Sequence, residues 1–333
     1  MSARRWLGAV PIVLALVGCR GVQSALDPAA DQAQAIDQLW WILVSVCSVL
    51  YLAVLIALAW ALAHARRRRF QTTDGTVADP AWRRGLVAWS ILVVGLLTWF
   101  VAIAFLADRK LHAGRPDLEV RITAKQWWWQ VEYLSHDPQQ QFITANELWL
   151  PRERTARIEL RSGDVIHSFW VPALTGKEDL IPGYTNAVLV TPRRDGRYRG
   201  QCAEFCGLQH AHMALDVQVV DEAAFAAWQQ RQRLPARAPA SSAALRGAAV
   251  FTQAACMSCH AVRGTLAGSH LGPDLTHLSS RRTLAAGALP MSNADLEHWL
   301  ADPQHGKPGN LMPAVPLRPE DRADLVTYLM GLE

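Results

Sequence analysis

The sequence predicts a multidomain chain of three structural parts: a two-helix transmembrane hairpin, an antiparallel β-sandwich and a small all-α domain. Three observations carry that prediction. Two long uncharged runs fall in the first third of the 333 residues. Apolar and polar residues then alternate in short runs divided by Pro and Gly. Helical patterning returns only after a stretch rich in Pro, Ala and Ser. A chain of this length is expected to bury more than one core. The net charge of +4 is spread out or set beside apolar runs, with no basic stripe of the kind that tracks nucleic acid, which excludes that partner.

The N-terminus, MSARRWLGAVPIVLALVGC, joins a basic start to an apolar stretch and a small residue before Cys19, the layout of an export signal. Leu16-Val17-Gly18-Cys19 resembles a bacterial lipobox, so residues 1–19 read as a lipoprotein-type signal ending at a lipid-bearing cysteine. No residue is charged from Leu39 to Ala63 or from Gly85 to Ala107, and each run exceeds the roughly 20 residues a helix needs to cross a bilayer. They predict a hairpin over 37–110. Arg66 to Arg69, Arg83 and Arg84 lie between the runs, whereas Asp27, Asp31 and Asp37 precede them. By the positive-inside rule the connecting loop is cytoplasmic and everything after Ala107 faces outward. Neither span carries an acid, a base or a histidine, so the helices anchor and pack without holding a proton relay. Cys47 reads as a small hydrophobe.

Period-two alternation marks the sandwich, expected over 111–233. Val120, Ile122 and Ala124 alternate with Arg121, Thr123 and Lys125, and Met213, Leu215, Val217 and Val219 repeat the habit.

Into that region falls QCAEFCGLQHAHM, residues 201–213, with two cysteines, two histidines and a methionine. A Cys202–Cys206 disulfide would suit an oxidising compartment but leaves His210 and Met213 unexplained. Structural zinc takes Cys and His but has no use for Met. A blue-copper site takes one Cys, two His and a weak axial Met, so this loop holds one thiol too many. A second thiolate invites a second copper, with the sulfurs bridging the ions. The missing imidazole then comes from elsewhere, and His167 in GDVIHSFWVP is the candidate.

HSFWVP, GKEDLIPG and CAEFCGLQHAHM, with His167 and Cys202 35 positions apart, make residues 117–230 resemble the copper domain of cytochrome c oxidase subunit II. That resemblance implies a cupredoxin-like sandwich holding the binuclear copper centre called CuA. It implies His167, Cys202, Cys206, His210 and Met213 as side-chain ligands and Glu204 as a ligand through its main-chain carbonyl. It also implies that the Glu204 side chain meets magnesium at the boundary with subunit I. QWWWQ, residues 126–130, is similar to the family's aromatic stretch, which assigns electron input to Trp127. His212 matches no ligand position. One departure is Tyr184, which follows IPG where the family places an arginine; a neutral phenol replaces a planar cation there.

LPARAPASSA, residues 234–243, has the composition of a linker. Beyond it, CMSCH at 256–260 is the attachment signal for haem c: Cys256 and Cys259 bond the haem covalently and His260 ligates iron. A second axial ligand is needed. Met291 precedes a helix start at Ser292-Asn293 and reads as packing, whereas Met312 sits in KPGNLMPAVP ahead of a terminal helix. The region, 244–333, resembles a class I cytochrome c, which implies Met312 as the axial ligand. His270, His277, His298 and His305 read as solvated or capping residues.

The resemblance from about residue 30 onward is to the subunit II variant that carries its own cytochrome c. It implies a haem-copper terminal oxidase in a bacterial cell membrane, with both soluble domains on the outer, periplasmic face. Electrons pass there from haem c by way of CuA to subunit I, which reduces oxygen to water and pumps protons. Subunits I and III are the implied partners, and a cytochrome bc complex or a soluble cytochrome c the upstream donor. Residues 111–233 hold 15 Asp or Glu against 14 Lys or Arg, so the sandwich lacks the acidic face that steers free basic cytochromes; tethering supplies effective concentration instead. Two alternatives have different chemistry: electron input to a CuA-bearing nitric oxide reductase, and a stand-alone electron-relay or copper protein.

Overall fold

The computed structural model describes residues 21–68, 80–112 and 114–333. Cys19 and the lipobox reading lie outside them. Residues 34–113 make one compact unit, and the described residues on either side make a second.

The first unit is helical. Helix α1, Asp31–Arg68, runs 38 residues and α2, Pro80–His112, runs 33. At 1.5 Å per residue α1 is about 57 Å long, well beyond a hydrocarbon core of about 30 Å. Their most apolar windows have mean hydropathy 2.8 and 2.5. The large side chains there, among them Leu52, Ile56, Trp60, Ile91, Val94 and Phe105, are exposed. Helices apolar on every side need an apolar medium, and these are long and apolar enough to find it by crossing a membrane. Helix α1 starts earlier than the limit expected at residue 37, because the segment ahead of it is held in the second unit. There Ala29 N–H donates to Ala173 O (2.7 Å) and Asp31 N–H to Thr191 O (3.1 Å).

In the second unit two five-stranded sheets face each other across one core. One runs β3-β2-β1-β5-β8, built from β1 (Leu118–Lys125), β2 (Trp128–Leu134), β3 (Phe142–Ala145), β5 (Ala156–Ser162) and β8 (Asn186–Val190). The other runs β4-β10-β9-β6-β7, built from β4 (Glu147–Pro151), β6 (His167–Trp170), β7 (Glu178–Leu180), β9 (Gly196–Cys202) and β10 (Ala214–Val220). Alternation set the inward faces as expected: Val120, Ile122, Ala124, Trp129, Val131, Ile158, Leu160 and Val217 are fully buried. Each large side chain so placed stabilises the fold by about 1.5–3 kcal/mol. The sheets are not wholly antiparallel, however. β1 pairs with β5 in parallel, and so does β10 with β4. Alternation says which face is buried but nothing about the direction of the neighbouring strand.

Helix α3 (Glu222–Arg233) follows the sandwich. The C-terminal part then folds around its own core from α4 (Ser242–Gln253), α5 (Asn293–Ala301), the short α6 (Pro303–Gly306) and α7 (Pro319–Leu329). The stretch with a linker's composition is held at its start: Ala236 N–H donates to Arg263 O (2.9 Å), and just before it the Arg263 guanidinium donates to Arg233 O (3.1 Å) and Gln232 O (2.8 Å). His277, expected to be solvated or capping, stands at the N-cap position of the 3-10 turn Leu278–Ser280 but is buried, with Nε2 3.1 Å from Leu234 O. Composition reports chain stiffness but cannot show which distant carbonyl a side chain will meet.

Candidate metal centre and haem segment

Three adjacent strands of one sheet converge on the sulfur-rich turn. β6 opens with His167, β9 closes with Cys202, and β10 begins just after Met213. Phe169 pairs with Cys202 across β6 and β9. Cys202 N–H donates to Met213 O (3.0 Å) and Ala203 N–H to Ser168 O (2.9 Å), so both ends of the turn are fixed by neighbouring strands. The loop expected there is present, with a single short 3-10 turn at His210–His212.

The donor atoms meet inside it. The two Sγ atoms are 3.7 Å apart, well beyond the roughly 2.05 Å of a disulfide, and both thiols are free. His167 Nδ1 lies 3.8 Å from Cys202 Sγ, His210 Nδ1 3.7 Å from Cys206 Sγ, and Met213 Sδ 4.0 Å from Cys206 Sγ. Cys202 Sγ is 3.1 Å from Glu204 O. His167, Cys202 and Cys206 bring one donor atom each within 4.8 Å of one another, and all three are buried. No other cluster of three such donors exists among the described residues. The hydrogen bond with Cys206, aided by His167, holds the Cys202 thiol down at about 3. Cys206 is pushed up in turn, by that same bond and by burial. Two polarisable sulfurs, two imidazoles and a thioether make a soft set that suits copper and does not suit hard cations.

Two contributors escaped sequence reasoning. Asp164 Oδ1 lies 2.7 Å from His167 Nε2, so the imidazole is oriented by a carboxylate and presents Nδ1 to the sulfurs. Burial disfavours the charged ring, but Asp164 and Cys202 outweigh it and the His167 pKa is raised. The signal was visible as an acid three positions before the histidine. Gln126 is the second: its side-chain amide donates to Cys206 O (2.7 Å) beside the Trp127 Nε1–H, which donates to the same oxygen (2.9 Å). Trp127 is thus bonded directly to the turn. Trp129 is buried with its ring 6.5 Å from that of His167. The Glu204 carboxylate is half-exposed, 3.7 Å from Lys177 Nζ. His212 is exposed and its Nδ1 lies 2.7 Å from Gln209 Oε1, and Tyr184 is exposed as well.

The second cluster is local in sequence. Cys256–Ser258 forms a 3-10 turn, Cys256 half-buried and Cys259 exposed. His260 Nδ1 is 2.7 Å from Pro273 O. A carbonyl only accepts, so Nδ1 carries the proton and Nε2 keeps its lone pair. Burial lowers the His260 pKa and favours that neutral ring. Gly272 makes room for it: a Cβ there would stand 2.7 Å from His260 Cε1. Met312 is half-buried against the same core as Met291. Its loop is stiffened by Met312 N–H donating to Asn310 Oδ1 (2.8 Å) and by the Gln304 side-chain amide donating to Met312 O (3.0 Å). His270, His298 and His305 are exposed. A neutral imidazole with its Nε2 lone pair free, next to two free thiols, fits a covalently attached haem.

Residues 118–220 match the family described as cytochrome c oxidase subunit II, periplasmic domain, and residues 244–333 match cytochrome c. A cytochrome c oxidase subunit 2 from Alkalihalophilus pseudofirmus is 32% identical over 348 residues, covering 100% of this chain and 98% of the relative. The chain belongs to the cytochrome c oxidase subunit II family. The Bacillus subtilis subunit 2 is 29% identical over 73% of this chain and 70% of its own length. Among solved structures, the periplasmic domain of the Bradyrhizobium japonicum oxidase subunit II is 30% identical, with a TM-score of 0.34 over 36% of this chain and 96% of that one. As a subunit II, the chain is a membrane-anchored component of an oxidoreductase complex and associates with subunit I. Its sandwich is a CuA-type domain and its C-terminal part a cytochrome c domain.

Proposed function

We propose that this chain is the electron-input subunit of a haem-copper terminal oxidase, built to take electrons at its C-terminal domain and deliver them through the sandwich to subunit I, where oxygen is reduced to water and protons are pumped. Bound copper and haem c supply reversible one-electron chemistry. The chain's own residues set the route. Cys202, Cys206, His167, His210, Met213 and the Glu204 carbonyl would hold the copper pair. Cys256 and Cys259 would attach the haem covalently, and His260 and Met312 would be its iron ligands. Trp127 is the input point of the sandwich, and its indole N–H reaches the carbonyl of a copper-ligating cysteine in one hydrogen bond of 2.9 Å. Burial of the sulfurs excludes water, which limits reorganisation when the charge changes.

The observation that carries this reading is the pair of buried thiols 3.7 Å apart, with two imidazoles and a thioether against them. The limits 111–233 for the copper domain, 234–243 for the connection and 244–333 for the cytochrome domain belong to the same reading. So does a magnesium site at the subunit I boundary, for which the half-exposed Glu204 carboxylate is the available ligand. Subunit III, an upstream cytochrome bc complex or soluble cytochrome c, and the bacterial inner membrane complete it. The relatives described above are oxidase subunits, and nothing in them favours a nitric oxide reductase or a stand-alone relay. Purification from membranes tests the proposal by metal analysis and optical spectra. The expected result is two coppers and one covalent haem per chain beside a large haem-bearing subunit; one zinc, or a Cys202–Cys206 cystine in the native complex, would overturn it.

A further inference from the structure

The electron-input residue of the sandwich is not open to solvent. Trp127 is 7% exposed, and the C-terminal domain lies against it. Lys307, the residue after α6, is 3% exposed, and its ammonium donates to Trp127 O at 2.7 Å and to Ala285 O at 3.0 Å. One acceptor belongs to each domain, so the cation ties the two together. Gly309 sits in the left-handed region (φ +79), and a Cβ there would stand 3.8 Å from the Trp127 ring and 3.1 Å from Leu208. The backbone therefore passes close to the sandwich at this point.

The contact is polar, buried and directional, which distinguishes it from a transient collision. The Gln209 side-chain amide donates to Pro308 O (2.8 Å), and Ala214 N–H donates to Ala286 O (2.9 Å) across the same boundary. A second buried cation, Arg281, lies 3.7 Å from Glu147 and donates to Asp274 O at 2.6 Å. Removing an ammonium from water is costly unless hydrogen bonds replace its hydration. Lys307 recovers that cost only with both carbonyls in place. Burial pushes it down to about 7.

We propose that Lys307 is a positioning residue, a latch that holds the cytochrome domain over Trp127, and that the latched domain closes this face to free cytochrome c. The tethered donor is thereby docked instead of roaming on its linker, in keeping with the pinned segment at Ala236. The kinetic part of this inference rests on Trp127 being the electron-input point; the latch itself does not.

The test uses the whole purified oxidase carrying Lys307→Met, with its haem and copper absorption checked first. Hydrogen exchange is read at the Ala214 amide and over residues 305–310, and two rates are read beside it: electron transfer from the chain's own haem to copper, and oxidation of added soluble cytochrome c. Exchange is expected to rise at least about 10-fold, since a charged hydrogen-bond pair is lost. The internal rate is expected to fall and oxidation of the added cytochrome to rise, opposite signs that a general loss of structure would not give. Unchanged exchange overturns the latch. Faster exchange with both rates falling overturns the closure of the face. Faster exchange with neither rate altered overturns the Trp127 reading, and with it the kinetic half of the proposal, while leaving the latch supported. If Lys307→Met loses its haem band, Glu147→Gln loosens the same boundary from the sandwich side, leaves every residue of the cytochrome domain in place, and is read against the same outcomes.

Discussion

The copper turn and the haem segment both present two cysteines and histidine within a few residues, yet they are built in opposite ways. In the copper turn Cys202, Cys206 and Met213 are 4%, 2% and 1% exposed, and His167 joins from another strand. In the haem segment Cys259 is exposed, Cys256 is half-buried, and His260 directly follows the second thiol. An ion held only by coordination needs donors already gathered and shielded from water, because each donor fixed beforehand is one fewer to order on binding. A group attached by covalent bonds brings its own apolar surface and is retained without that enclosure. Its segment can remain a short local motif with one oriented ring.

Three substitutions sharpen that contrast, and their effects should decrease in order. Cys202→Ser removes one of the two paired sulfurs, and metal analysis should find both coppers gone while haem staining of the denatured chain is unchanged. Loss of haem as well would mean that the two sites fold as one. Asp164→Asn keeps every ligand but weakens the group that orients His167. Copper affinity, titrated with a competing chelator, should fall about 10- to 100-fold, and an unchanged affinity would show that strand geometry alone orients the ring. Gly272→Ala puts a methyl within 2.7 Å of the His260 ring. The cost is steric, about 1–3 kcal/mol of stability by denaturant titration, with copper content unaltered. A neutral result would mean that His260 can shift freely and that the haem segment has no preset ring position.

Much of the site was legible because its information is local. The spacing of Cys202, Cys206, His210 and Met213 reads directly as soft-ligand chemistry, and CMSCH needs no fold to be read. Alternation at Val120, Ile122 and Ala124 marks buried faces in the same way. Asp164 and Gln126 were not legible in their roles. An acid or an amide in a loop has many uses: Asp164 stands three positions before its ring, a spacing many acids share, and only the return of the chain brought Gln126 to the Cys206 carbonyl. The parallel pairing of β1 with β5 and the burial of Lys307 were hidden for the same reason.

The sequence by itself determined the parts of this protein: two membrane-length helices, strands with one buried face, a sulfur-rich turn and a haem-attachment segment. Each follows from backbone period or from donor atoms a few residues apart. The tertiary structure alone decided how those parts are joined. It set how the linker is held, and that a lysine of one domain closes over a tryptophan of the other. The contact from Lys307 to Trp127 links positions far apart along the chain, and such contacts form where packing excludes water and leaves buried polar groups only one another to satisfy.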